Sequence, residues 1–417
     1  MTTRRNARVV AGFLAAMSTF GLLAGQPAGA DPSFVESYAA VGSDTTMSVL
    51  DAFAGSQPYA PWTKPSPANI YYLPIHSDLA SGQKTIASFD AVPQGGGAHA
   101  PGCIITKLGG PSFDRPDGSS NGVKALSHAV EGTPWANPTA SASCTGTGTN
   151  VSGQIDFARS SRGPRNTSTN ALTYIPFARD ALSYALLNRG SDNLNALTTA
   201  QMTALYSSGT GTIQVGSTTV KACLANTGSG TSDFWVKAIG VTMTQAVNAA
   251  TAAGCFTAPG VEEHDGNAFY NKANSITGTG QAAVINFSAG NWIAQVNGVA
   301  AERSDVARAN GVDLGNLDNL GGSGGKPYTG TAPNLKPNSS FFLGGSGTTV
   351  GTYGRDVYNV VPTSKISGFT VDPGLKSLFV GPSSAVCAAD AKVTIEKFGF
   401  LSISNCGATT KTGSLFS

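Results

Sequence analysis

Apolar positions along this chain come in short runs, broken by small and polar residues. Tyr38-Ala39-Ala40-Val41 reads as a strand and Gly42-Ser43-Asp44-Thr45-Thr46 as a turn. Met47, Leu50 and Phe53 then recur at helical spacing, which predicts a strand–turn–helix unit with Asp44 or Thr45 as N-cap. Ile70 to Pro74 reads as a second strand, and residues 75 to 117 as a long surface excursion rich in Gly, Pro and Ser. A second glycine-serine turn, Asp117 to Gly122, opens a helix over 123–130, and a strand over 154–158 ends in Arg159-Ser160-Ser161-Arg162. Two strand-like runs follow, Leu172 to Phe177 and Ala181 to Leu187. Thr198-Thr199-Ala200-Gln201 is a capping box ahead of a helix over 202–206. Residues 212 to 224 alternate as a hairpin does, 243 to 253 reads as a helix, and 282 to 287 as a buried strand. Residues 288 to 337 read as loop, 356 to 361 as a strand, and 391 to 403 as strand or helix. Strands alternating with helices predict α/β architecture.

The central stretch is Asn226-Thr227-Gly228-Ser229-Gly230-Thr231-Ser232-Asp233-Phe234-Trp235, a glycine-rich turn running into an apolar helix. Unpaired N–H groups at such a terminus, beside free hydroxyls and the positive end of the helix dipole, suit an anion. In open α/β sheets ligands sit beyond the carboxyl ends of the strands, where these turns lie.

Arg4, Arg5 and Arg8, an apolar run from Val9 to Ala24, and the small-x-small site Ala28-Gly29-Ala30 make residues 1–30 a secretory signal peptide, with Asp31 the first mature residue. An exported, extracytoplasmic protein without a lipid anchor is therefore expected. With those three arginines removed from the 26 basic residues, 23 stand against 24 acidic ones, a net charge of −1. That gives no electrostatic footprint for nucleic acid or for an anionic membrane. Six cysteines in an oxidising compartment predict disulfides. Pairing of neighbours, Cys103–Cys144, Cys223–Cys255 and Cys387–Cys406, closes the smallest loops. No Cys-x-x-Cys spacing occurs and the four histidines are scattered, so neither a metal nor a cofactor is expected.

Taken in order, Gly42 to Thr46, Gly118 to Lys124, Ile155 to Ser161, Leu197 to Tyr206 and Gly228 to Ser232 resemble the motif series of phosphate-binding proteins of ABC-type phosphate importers, in the type II periplasmic-binding-protein superfamily. The resemblance implies two α/β lobes joined by two crossovers, with an anion in the cleft and no catalysis. Lobe one would be 32–172 with 288–417, and lobe two 173–287. It implies a monomer that binds an oxyanion, phosphate first, and that works with an importer permease. The second reading is a secreted protein of the same fold with a scavenging, adhesion or signalling role and no transporter.

The family's ligand positions fall on Thr46, with Thr45 its neighbour in the turn, and on Ser119, Ser229, Gly230 and Thr231. Its acidic acceptor falls on Ser161 and its arginine on Ala225, so both charged groups are missing from their usual places. Arg159, Arg162 or Arg115 could supply the cation, and Asp233, Asp117 or Asp44 the acceptor. One enzymatic alternative exists on paper. Gly118-x-Ser120-x-Gly122 matches the nucleophile-elbow pattern, but the proline and charges ahead of it make a poor strand.

Overall fold

The computed structural model describes residues 37–55, 74–92, 102–138, 144, 148–258, 260–344 and 350–417. The signal peptide, and all but the end of the strand expected over 70–74, lie outside those residues. The large sheet is built from β1 (Ser37–Gly42), β2 (Thr85–Ser88), β3 (Phe157–Ser160), β4 (Leu172–Asn188), β5 (Thr212–Val215), β6 (Thr218–Ala222), β7 (Gln281–Ser288) and β8 (Gly354–Pro362). Its order is β2-β1-β3-β8-β4-β7-β6-β5, with two further two-residue strands on β4. The helices that matter here are α1 (Met47–Phe53), α2 (Gly118–Glu131), α3 (Thr199–Ser207), α4 (Gly230–Ala238), α5 (Met243–Ala252), α6 (Gly266–Ile276) and α7 (Ala289–Val296). The architecture is mixed α/β around one large sheet.

β4 is the spine. Its first ten residues pair antiparallel with β8 and its last seven with β7, so one 17-residue strand runs through both halves of the sheet. The sequence splits this strand in two because Pro176 and the pair Arg179-Asp180 interrupt the apolar run. The structure absorbs the proline, which has no N–H to donate, at a register shift between Val357 and Tyr358 of β8.

Apolar packing follows the same division. One core gathers Leu182, Tyr206, Trp235, Phe269, Ile285 and Trp292 around the far half. Two others pack Phe53, Phe157 and Phe379, and Phe113, Leu126 and Tyr174, on opposite faces of the near half. The far core also takes in Leu317, Phe341, Phe342 and Tyr353, from a stretch the sequence reading gives to lobe one.

Three expectations need correction. The 75–117 stretch contains β2, an edge strand pairing parallel with β1; its single bulky residue, Ile86, gives too little alternation to read. The loop expected from 288 opens with α7, capped by Ser288 Oγ accepting from the Asn291 N–H. Residues 389–397 are helical, which settles the ambiguous C-terminal segment. The Thr198 capping box, the 212–222 hairpin and all three disulfides stand as expected.

Candidate functional site

The central turn folds as its composition dictates. Ser229 is the N-cap of α4 and its hydroxyl accepts from the Thr231 N–H. Gly228 and Gly230 keep the turn thin, so α2 of the near half can approach it. A Cβ on Gly230 would come within 2.6 Å of both the Ser119 and Ser161 hydroxyls. The N-termini of α2 and α4 thus meet across the groove between the halves. Ser119 Oγ accepts from the Ser161 N–H at 3.0 Å and lies 3.1 Å from Ser161 Oγ.

Beside this contact, three hydroxyls converge. Ser229, Thr231 and Thr45 donate to Oε1 of Glu263 at 2.6, 2.9 and 3.0 Å. Thr45 and Thr231 come from opposite halves and lie 3.1 Å apart. Thr46 caps α1 by position only; its buried hydroxyl makes no hydrogen bond.

A cation completes the cluster. Arg355, at the start of β8 and 3% exposed, donates from Nη2 to Thr231 Oγ1 at 2.6 Å and more weakly to Thr45 at 3.4 Å. Its Nε and Nη2 also hold Asp180 of β4, while buried Nη1 has no acceptor. Asp180 is anchored in turn by Ser288 Oγ and the Gly290 N–H. The arginines suggested by sequence are engaged elsewhere. Arg159 is fully buried and spends its guanidinium on the carbonyls of Ala40, Gly42, Ser43 and Phe89 and on Ser88 Oγ. It is a tie between β1, β2 and β3. Arg115 donates to the Asp90 carbonyl, and Arg162 holds the Ser417 carbonyl and pairs with Asp233.

The acidic side is likewise found elsewhere. Asp233 is held by Arg162 and Arg165, and Asp117 by Asn121 and Asn137. Asp44 does reach the site, beside Glu262, Glu263 and His264. Burial pushes the Glu263 carboxyl up to about 8, helped by the neighbouring Asp44 charge. Burial also raises Asp44, and it raises Glu262 well above the carboxylate range, with Asp44 and Glu263 adding to the push. His264, 3.1 Å from Asp44, is driven down to about 4 by burial and by Arg303, and so is neutral at pH 7. One oxygen each from Asp44, Glu262 and Glu263 lie within 4.8 Å of one another, a spacing that suits a hard cation. Protons answer the same crowding, which is why all three carboxyls are raised above their ordinary values.

Ser120, the candidate nucleophile, sits inside α2 with its hydroxyl facing Arg162 at 3.5 Å. His264 is spent on Asp44, and His128 bonds Thr133.

One sequence signal bears on what was missed. Glu262-Glu263-His264-Asp265 is a rare run of ionisable residues in a chain only 12% charged, and it immediately precedes α6. Arg355 has no local signal.

Comparison with known proteins adds the following. Solved structures similar to this chain include a putative phosphate ABC transporter substrate-binding protein with bound phosphate from Clostridium perfringens, at 12% identity, TM-score 0.43, covering 88% of this chain and 99% of that one. An ABC-type phosphate transport receptor from Vibrio cholerae is 13% identical, TM-score 0.44, over 88% and 100%. A DING protein is 9% identical, TM-score 0.40, over 88% and 91%. These likenesses concern the course of the chain and not its ligand. No family model matches, and no curated relative does.

Proposed function

We propose that this is an exported solute-binding protein that takes a small oxyanion, phosphate first, between the two halves of the fold. The observation that supports it best is a buried arginine bonded to the buried hydroxyls of Thr231 and Thr45 beside the Ser229 cap of α4. Hydroxyls, helix N–H groups and a guanidinium are donors that an oxyanion needs, and Arg355 still has one buried donor without an acceptor. Glu263 takes the role of the missing acidic acceptor. Above about pH 8, where its carboxyl ionises, Glu263 accepts from a protonated oxyanion and repels a fully ionised one such as sulfate. A permease of the ABC type is the partner an import role would require.

Micromolar binding requires about 8 kcal/mol. A charge-assisted contact contributes roughly 1.5–3 kcal/mol and each neutral hydrogen bond about 0.5–1.5 kcal/mol. Arg355 with four or five hydroxyl or amide contacts sums to roughly 3.5–10.5 kcal/mol, which spans the micromolar requirement before the cost of closing the halves is subtracted.

Calorimetric titration of anion-stripped protein with orthophosphate and with sulfate tests the proposal. Micromolar orthophosphate binding, abolished by Ser229→Ala with Thr231→Ala, is expected. Absence of heat from both anions in the unaltered protein would overturn it.

A further inference from the structure

Outside Arg355 the groove widens into a cavity of about 590 Å³. At ~30 Å³ per water that is room for about twenty waters, several times what one tetrahedral oxyanion displaces. Both halves of the fold contribute: Phe234 and Lys237 from α4 on one side, β8 and the C-terminal residues Thr410 to Thr412 on the other. Its walls carry five cations, Arg162, Arg179, Lys237, Arg355 and Lys411, against two carboxylates, Asp233 and Asp356. This excess of three positive charges lies in a chain that is nearly neutral overall.

The carboxylates are already used. Asp233 pairs with Arg162 and Arg165, and Asp356 with Arg179. Lys237 and Lys411 are therefore left without an ion pair among the described residues. Lys411 donates to the Tyr358 hydroxyl and lies 5.0 Å from the centre of that ring. Arg355 forms the wall shared with the hydroxyl cluster, contacting Thr231 on one side and lining the cavity on the other.

We propose, resting on the anion-binding reading above, that the cleft is built for a condensed phosphate, a pyrophosphate or short linear polyphosphate. One phosphoryl group sits among Thr45, Ser229 and Thr231, and the next extends past Arg355 toward Lys237 and Lys411. The lining favours an inorganic chain over an organic phosphate ester. Of the two aromatic rings in the cavity, Phe234 has the Arg355 guanidinium 5.8 Å from its centre and Tyr358 has the Lys411 ammonium at its hydroxyl, so a base or sugar stacking there meets a cation. What remains exposed to a ligand is positive charge, which suits repeated phosphoryl groups.

The test is calorimetry on the full chain, stripped of anion and metal, with orthophosphate, pyrophosphate, tripolyphosphate and glycerol phosphate as titrants. Tripolyphosphate is expected to bind at least tenfold tighter than orthophosphate, with a steeper loss of affinity as salt rises. Lys237→Ala with Lys411→Ala should remove that advantage and leave orthophosphate binding unchanged. Orthophosphate binding as tight as tripolyphosphate, or an advantage that survives the double substitution, overturns this inference and leaves the anion site standing. Glycerol phosphate binding tighter than tripolyphosphate overturns it in favour of an organic ester. No binding of any titrant overturns both readings.

Discussion

Glu263→Gln keeps the shape of the side chain and its Oε1 acceptor for Ser229, Thr231 and Thr45, but removes the titration. In the folded protein the carboxyl is held up at about 8 against an ordinary value of 4.5. Between those two values the folded chain holds a proton that the unfolded chain releases. Stability from this group is thus complete below about 4.5 and is lost as pH rises to 8. At about 1.4 kcal/mol per unit the ceiling is ~5 kcal/mol. Asp44 and Glu262 share the same protons, so roughly half of that, ~2–3 kcal/mol, should be visible as the wild-type loss relative to the variant between pH 5 and 8.5. His264 acts in the opposite direction, since its lowered value costs stability as pH falls through the window from 6.5 to about 4. Both proteins carry His264, so its own titration largely cancels in the difference between their curves, which reads Glu263 together with its effect on its buried neighbours. Urea unfolding at five pH values, without added anion, measures it. Wild-type and variant curves that run parallel from pH 5 to 8.5 would refute the reasoning. The same variant should lose most of the preference for orthophosphate over sulfate at pH 8.5.

Two further substitutions probe the geometry. Arg355→Ala leaves Asp180 buried with only Ser288 and Gly290 as partners, so unfolding stability should fall by about 3–5 kcal/mol; Arg355→Lys, which keeps the charge but not the reach to Asp180 and Thr231 together, should recover part of the stability while orthophosphate affinity stays at least tenfold down, and full affinity in the lysine variant would remove Arg355 from the site. Gly230→Ala forces Ser119 Oγ to turn away from the Ser161 N–H or the two halves to part, a cost of about 1–3 kcal/mol for a buried donor left unpaired; small-angle scattering should show a larger radius with saturating orthophosphate than for the unaltered protein, and identical radii would show that the contact closes nothing.

How much of this could be read from the sequence depends on how local each feature is. Ser229 capping α4, the Thr198 box and the 212–222 hairpin were legible because the residues that decide them lie within a few positions of one another. The hydroxyls of the site were legible for the same reason. Its charges were not, and β4 shows why. Arg179-Asp180 looks like an interruption in an apolar strand, and Arg355-Asp356 like the polar edge of another. In the antiparallel register Arg355 stands opposite Asp180, and Asp356 opposite Arg179. Each dipeptide neutralises the other, and the two ion pairs differ in burial. Asp180 and Arg355 are buried at the groove, whereas Arg179 and Asp356 stay partly exposed. A slip of one residue would exchange the pairs and put Asp356 where Arg355 meets Thr231. On the proposed reading, the cation that stands in for the one missing at Ala225 is specified by strand register across 175 positions, and the acceptor that stands in for the one missing at Ser161 by a loop 102 positions on, at Glu263. What the anion site requires is a charge at a point in space, and several elements of this fold end close enough to that point to supply it.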